Sequence, residues 1–592
     1  MQELTEPKYN LLASLARRKK TGKKMTEKKN SKRQIYLPII LAVVLVAGML
    51  IGRMTSTSGN GPSGQRLMMY PEAGKLQTII NLIDEQYVDS VDTEELVENI
   101  IPDVLKKLDP HTVYIPPKDL EAANQELEGN FGGIGVQFSM QDDTVLVISV
   151  VSGGPSEKVG ILPGDRIITV NDSVIAGVDT PTNEVVNMLR GDIGTKVNVG
   201  IERRNKNKLL DFEITRGNIP LYSVDVSYMV TDSIGYIKVN RFARNTYQEL
   251  LSALAKLKAS NCQSIIMDLR QNSGGYLDIA ISMVNEFLDK GDMIVYTKGV
   301  NSKRQDVYAN GSGSCKDTEI TVLIDEFSAS ASEIFAGAMQ DNDRGLVVGR
   351  RSFGKGLVQQ QFPVPSGGAL RLTVARYYTP SGRCIQKPYE NGVEDYYKDI
   401  IHRYEHGEFF EKDSIDVNDS LMYETVGGRT VYGGGGIMPD YFVPTDTSDR
   451  SEYYYDLREQ GILYQFALEY SDNNRSQLSE YETAGELKRH LDQQPIASLL
   501  TDFASQKGIK FNREQFQVSK ELLSVEAKAY IARNIIDNEG FYPIISEQDE
   551  VLQKAIHLIK NDADSVLQAS ATMEAQMEQE LAANEAEAAT VN

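Results

Sequence analysis

The spacing of apolar positions changes along the chain and divides it into segments of different character. Ile35 to Gly52 is an uninterrupted apolar run of 18 residues, just long enough to span a bilayer as a helix. Pro38 lies in its first turn, where a helix tolerates proline. Residues 54–66, rich in Ser, Gly and Thr, predict a flexible tether. Over 67–128 the period is helical, with Leu76, Ile79, Ile80, Leu82 and Ile83 on one face. A second helix is predicted from Thr93 to Leu108, stopped by Asp109-Pro110, and a third from Lys118 to Leu127 behind Pro116-Pro117. No chemistry is visible in this segment, and packing or gating is the role it suggests.

From residue 129 the pattern turns to alternation. "GNFGGIGVQF" predicts a glycine-rich turn leading into a strand, and "TVLVISVV" a second strand. "PSEKVGILPGDRIITVND" predicts a short helix, a Pro-Gly turn and a strand; "PTNEVVNMLRG" predicts a helix over Thr182 to Leu189. "TKVNVGIER" and "LLDFEITRG" predict closing strands. From 218 onward strands and helices alternate, as in "CQSIIMDLRQ", "YLDIAISMVNEFL", "EITVLIDEF" and "SASASEIFAGAMQD". This is the βαβ order of a largely parallel sheet, whose sites lie past the C-terminal ends of strands. Residues 446–592 are helical and acidic, ending in "ATMEAQMEQELAANEAEAATVN".

Composition narrows the classes of function. At 592 residues and 41% hydrophobic, the chain is too long for one core and predicts several domains. A net charge of −21 excludes a nucleic-acid partner, which requires basic surface. The charge is uneven: residues 1–33 carry eleven Lys/Arg and three Asp/Glu, so the remainder sums to −29. Basic residues before an apolar run keep the N-terminus cytoplasmic and export the chain beyond Arg53. A retained signal anchor is preferred to a cleaved signal peptide, since no small-x-small site comes after the run; a start at Met25 leaves this topology unchanged. Cys262, Cys315 and Cys384 form no CxxC pair, so neither a zinc site nor a disulfide framework is indicated, and one disulfide stays open without a preferred pair. His402 and His406 have i,i+4 spacing but no HExxH around them, which suggests a solvated helix face. No metal and no cofactor is expected.

Two segments at strand ends carry candidate chemistry. In "DEFSASASEIFAGAMQD", Ser328, Ser330 and Ser332 alternate with alanine where a strand gives way to a helix. Each suits an N-cap; one of them also suits a nucleophile, with the next backbone N–H facing an oxyanion. In "VVGRRSFGKGLVQQQF", Lys355 stands between glycines after an apolar strand. No histidine lies near either segment, so a nucleophilic serine would need Lys355 as its base. Burial must then lower the lysine pKa from ~10.4 toward ~7–8, worth roughly 4 kcal/mol. Gln359, four residues on, is placed to hold the amine.

The order of elements over 129–217 resembles a PDZ domain, with Gly132, Gly133, Ile134 and Gly135 where such domains bind a terminal carboxylate through backbone N–H groups. Val185, Val186 and Leu189 are then candidate walls for the terminal side chain, Val185 being equally readable as core. Together with "DLRQNSGG", "SASASEIFAGAMQDNDRGLVVGRRSFGKGLVQQ" and "LDPHTVYIPP", the chain resembles the carboxy-terminal processing (tail-specific) proteases over about residues 70–445. The resemblance implies a multidomain α/β protein: a ClpP/crotonase-like protease core with an inserted, all-β-rich PDZ domain, an N-terminal transmembrane helix and a helical C-terminal extension. The implied segments are 1–34 basic and cytoplasmic, 35–52 signal anchor, 53–66 linker, 67–128 helical domain, 129–217 PDZ domain, 218–445 protease core and 446–592 extension.

By the same resemblance Ser330 is the nucleophile, Lys355 the general base and Gln359 its orienting partner. The oxyanion hole uses the Ala331 N–H and that of Gly274 or Gly275, while Ser328 and Ser332 cap and pack. The implied partners are unstructured or misfolded exported proteins, held by their C-termini, and the inner (cytoplasmic) membrane, crossed once with the catalytic part on the periplasmic side. For 446–592, dimerisation or adaptor contact stays open beside the preferred reading of a helical add-on with a frayed tail. The competing functions are a catalytically silent PDZ scaffold and a crotonase-like hydrolase of small thioesters.

Overall fold

The computed structural model describes residues 71–561, apart from 142, 152, 204, 205 and 207. The expected anchor over 35–52, the segments flanking it and the Ala/Glu-rich end lie outside the described residues. Among the described residues, no helix is long and apolar enough to cross a membrane. The chain forms two compact units, Met1–Thr93 and Glu94–Asn592. The described part of the first is the helix Pro71–Gln86 and the turn after it.

The frame of the second unit is a six-stranded sheet in the order Val224–Met229, Ile234–Val239, Ser264–Asp268, Glu319–Ile324, Gly345–Gly349 and Tyr441–Phe442. The first pair is antiparallel and the other pairs are parallel. Parallel strands need cover on both faces, which accounts for the apolar residues 265–267 at the centre of the fully buried "SIIMD". Ile237, Ile265, Met267, Val322 and Val347 face Leu254, Met283, Phe335 and Met339 from the helices Thr246–Ala259, Leu277–Asn285 and Ala331–Asp341. Tyr236, Ile266, Leu323, Leu346 and Val348 point the other way, by the two-residue period of a strand.

That second face is covered by Val551, Leu552, Ala555 and Leu558 of the last described helix, Glu550–Lys560. Residues 446–561 are therefore not an add-on: their final helix completes the core. The expected boundary at 128 does not follow the packing either. Val113–Ile115, assigned to the helical segment, pairs with Ala369–Tyr378 in an antiparallel sheet that also holds Met293–Lys298, Gln305–Tyr308 and Leu357–Pro363. The neighbouring helix ends at Leu105 rather than Leu108.

A separate antiparallel sheet holds Val136–Gln141, Thr144–Val150, Arg166–Val170, Lys196–Glu202 and Leu210–Thr215 in that order, with Thr182–Leu189 as its helix. It is entered and left through a two-stranded ribbon, Asn130–Gly133 against Gly217–Pro220. Within "TVLVISVV" the residues 145–148 are apolar at every position because both faces of the strand are buried there. Val145 and Val147 lie in the core of this sheet. Leu146 and Ile148 pack against Leu468, on the helix Ile462–Leu478 of the C-terminal bundle.

Leu552 is fully buried between the sheet and its own helix. Leu552→Ala is expected to cost about 2–5 kcal/mol, read as a lower urea midpoint with an unchanged slope. A variant as stable as the parent would mean that the last helix is peripheral.

Candidate active site

Three neighbouring parallel strands end at one edge of the central sheet, where Asp268 pairs with Leu323 and Ile324 with Gly349. Past those ends come the loops carrying Gly274 and Gly275, then Ser330, then Lys355. The register of the sheet thus collects residues more than eighty positions apart along the chain into one place. A cleft of about 680 Å3 is lined by Gly274, Gly275, Ser330, Ala331, Lys355 and Gln359, among others.

Ser330 has φ +55° and ψ −112°, a backbone conformation that side-chain-bearing residues rarely adopt, and the helix Ala331–Asp341 begins immediately after it. Such strain persists only where the surroundings over-determine it. The flanking serines supply part of that restraint rather than capping the helix. Ser328 Oγ donates to the Leu269 carbonyl (2.9 Å) and accepts from the Asp325 N–H (2.9 Å); Ser332 Oγ donates to the Asn272 carbonyl (2.9 Å).

Glu333 supplies more. Its buried carboxylate accepts from the Ser330 N–H (2.8 Å) and the Lys355 N–H (2.9 Å) on one oxygen, and from Ser352 Oγ (2.5 Å) and the Gly354 N–H (2.7 Å) on the other. Tyr377, from the neighbouring antiparallel sheet, mirrors this by donating its hydroxyl to the carbonyls of Ser330 (3.0 Å) and Lys355 (2.6 Å). The serine turn and the lysine loop are therefore joined twice, N–H to N–H through a carboxylate and C=O to C=O through a phenol.

Lys355 Nζ donates to Gln359 Oε1 at 3.1 Å, and the Gln359 amide in turn donates to the His111 carbonyl. Among the described residues no hydrogen bond joins Lys355 Nζ to Ser330 Oγ. Burial, and then the Arg371 guanidinium, bring the Lys355 pKa down to about 8, against the opposing pull of Glu333 and Asp109. A histidine does approach the site from far away in sequence, but burial and then Lys355 lower His111 to about 3, so it is neutral. Its ring bonds Tyr396 Oη at 2.9 Å rather than facing Ser330.

The two glycines of the "NSGG" turn are not equivalent. The Gly274 N–H is occupied by Asn272 Oδ1 (2.9 Å), and a Cβ at Gly274 would lie 2.8 Å from the Ala331 nitrogen. The N–H groups of Gly275 and Ala331 have no hydrogen-bond acceptor among the described residues. In the antiparallel domain, Gly132 and Gly133 are already paired in the entry ribbon, which leaves Ile134 and Gly135, the latter at φ +78°, as the turn before the strand Val136–Gln141. That strand is an edge, paired on one side only. Val186, on the helix Thr182–Leu189, is half-buried. Leu189, expected as a pocket wall, instead lies in the domain core with Val185, because residues four apart share the inward face of the helix.

Residues 233–398 match the family model described as peptidase family S41, residues 132–214 that of the PDZ domain, and residues 453–537 a family of unknown function. The carboxy-terminal-processing protease of Bartonella bacilliformis is 36% identical over 354 residues, which cover 59% of this chain and 79% of the relative. The chain belongs to peptidase family S41. It is also 32% identical to a probable CtpA-like serine protease of Staphylococcus saprophyticus, over 62% of this chain and 74% of that one. The solved photosystem II D1 C-terminal processing protease is 26% identical at a TM-score of 0.30, over 52% of this chain and 89% of that one. The protein is accordingly a serine-type peptidase carrying a PDZ domain.

Sequence reasoning passed over Glu333, Tyr377 and Asn272 in this candidate site. Glu333 had a local signal, since Ser330 followed three positions later by Glu is the capping-box spacing at a helix start. Tyr377 had none, because its partners lie 47 and 22 positions away. All four partners of Glu333 are donors, so Glu333→Gln turns an amide NH2 toward two of them. We expect a loss of roughly 1–3 kcal/mol in chemical unfolding and a matching fall in peptidase activity. A Glu333→Gln protein as stable and active as the parent would remove this residue from the architecture of the site.

Proposed function

We propose that this peptidase cleaves exported proteins presented by their C-termini, using Ser330 as nucleophile and Lys355 as general base. The observation that carries the reading is the lysine amine, brought toward neutrality by burial and held by Gln359, in one cleft with a serine on a strained turn at a helix N-terminus. The neutral amine takes the Ser330 hydroxyl proton as Oγ bonds to the scissile carbonyl carbon, whose oxygen becomes an anion. The N–H groups of Ala331 and Gly275 are free to donate to that oxyanion, and they strengthen most in the transition state. The protonated Lys355 then delivers its proton to the leaving amine as the C–N bond breaks. Water repeats the cycle on the acyl-enzyme. For the proton transfer the Lys355 amine, held at 3.1 Å from Gln359 Oε1, has to reach Ser330 Oγ.

The PDZ domain selects substrate. An extended tail adds to the edge of Val136–Gln141, its carboxylate at the Ile134–Gly135 turn and its last side chain beside Val186. The apolar run 35–52 behind eleven basic residues supports a single-pass anchor in the cytoplasmic membrane, with the peptidase on the outer side. A reporter fused after Arg53 is expected to be extracytoplasmic, and a cytoplasmic reporter would reverse this topology.

Ser330→Ala and Lys355→Ala are each expected to lower kcat at least about 10³-fold on an unstructured protein with an apolar C-terminus, leaving tail binding intact. Tail binding without cleavage by the unaltered protein would favour a silent scaffold. The base is active when deprotonated, so kcat/KM is expected to rise with pH through a limb near 8, the value to which Lys355 is lowered. Arg371 contributes to that lowering, so Arg371→Gln is expected to move the limb to higher pH. A limb that stays in place would assign it to another group.

A further inference from the structure

The loop bearing Gly274 and Gly275 is held from outside the peptidase core. It leaves the central strand at Asp268, which is buried and accepts from Tyr236 Oη (2.6 Å), Lys238 Nζ (3.1 Å) and the Arg270 guanidinium (2.6 Å). The same guanidinium spans a second carboxylate: Arg270 Nη1 and Nη2 donate to Asp549 Oδ1 (2.8 Å) and Oδ2 (2.5 Å). Asp549 comes from the C-terminal helical domain, 279 positions along the chain, and caps its last helix by accepting from the Leu552 N–H (3.1 Å).

The residues between Arg270 and the glycines explain why this clamp matters. Gln271 has φ +60°, a left-handed conformation, and is tied to Asp325 through its N–H (3.0 Å) and its side chain (2.6 Å). Asn272 is next. Its side chain bonds the Val239 carbonyl (2.9 Å) and receives the Gly274 N–H, while its carbonyl takes the Ala329 N–H (3.0 Å) and the Ser332 hydroxyl. Every residue from 268 to 274 except Ser273 is thus anchored, and the anchor at Arg270 is shared between the core and the C-terminal domain. A strained loop keeps its shape only where its surroundings over-determine it, and the Asp549–Arg270 pair is one of those restraints.

We propose that Asp549 is a positioning residue for peptide hydrolysis: through Arg270, the C-terminal helical domain holds the loop that presents the Gly275 N–H to the oxyanion. The inference rests on the reading of Gly275 as a donor in the proposed Ser330 mechanism. It gives the C-terminal domain a direct hand on transition-state stabilisation, separate from its packing on the sheet.

The test is Asp549→Asn in the full-length chain, with an unstructured protein bearing an apolar C-terminus as substrate. Asparagine keeps the size and the capping oxygen but removes the charge that pairs with Arg270. The expected result is a kcat lower by about tenfold to hundredfold with KM changed less than about twofold, because the oxyanion contact strengthens in the transition state and not on binding. Asp549→Glu, which restores the carboxylate, is expected to recover most of the kcat. Arg270→Lys, which cannot bind both carboxylates through two nitrogens each, is expected to give the same split from the other side of the pair. Ser330→Ala is run beside them. An Asp549→Asn enzyme with parental kcat, while Ser330→Ala is inactive, would overturn the proposal and leave the Ser330 reading standing. Loss of kcat together with melting temperature, unrecovered by Asp549→Glu, would equally overturn it in favour of a purely structural contact. Parental activity in Ser330→Ala would overturn both.

Discussion

The Glu333 carboxylate has no access to water, so it must find its hydrogen bonds within the protein, and it finds four donors. Burial pushes its pKa up, while Ser352 and three backbone N–H groups pull it back. A carboxylate in this position costs several kcal/mol without such partners, and each partner is a fixed point of the site. Two of them are the backbones of Ser330 and Lys355. The serine turn keeps its left-handed φ and the lysine loop keeps its path because the same oxygen binds both. Tyr377 repeats the constraint from the carbonyl side. The spacing of the Ser330 and Lys355 backbones is therefore a property of the buried frame and not of either loop alone.

The same logic, with apolar surface in place of charge, governs the larger architecture. A parallel strand is stable when both faces are covered, and the central sheet has peptidase helices on one side and the Glu550–Lys560 helix on the other. In the PDZ domain the strand Thr144–Val150 is also covered twice, by its own core and by Leu468 of the C-terminal bundle. The C-terminal helices consequently touch both the central sheet and the PDZ domain. The Asp549–Arg270 pair adds a directional contact to this packing, at 16% and 23% side-chain exposure, where a bidentate ion pair is poorly screened.

Much of this was legible along the chain. The change from helical to alternating period marked the PDZ domain, and its helix is found at the expected Thr182–Leu189. Lys355 stood out as a lysine between glycines after an apolar strand, whereas the three serines read alike and only the family resemblance selected Ser330 among them. Leu189 misled because a single apolar helix position reads the same whether it faces a groove or a core. Ser328 and Ser332 were read as caps because a serine at a helix start usually is one; their true partners, the carbonyls of Leu269 and Asn272, belong to the adjacent strand end.

The sequence by itself determined that a PDZ domain precedes the peptidase core, most of the element types there, the candidate nucleophile and base, and the family, since these rest on periodicity, turn chemistry and short motifs that act over a few residues. Only the tertiary structure decided which glycine has a free N–H, that Glu333 and Tyr377 bind both the serine turn and the lysine loop, and that residues 549–558 belong to the core. The contacts of Glu333 with the lysine loop, of Tyr377 with both loops and of residues 549–558 with the sheet depend on partners tens to hundreds of positions apart, brought together by sheet register and by the need of buried polar groups for one another, and no local pattern encodes that meeting.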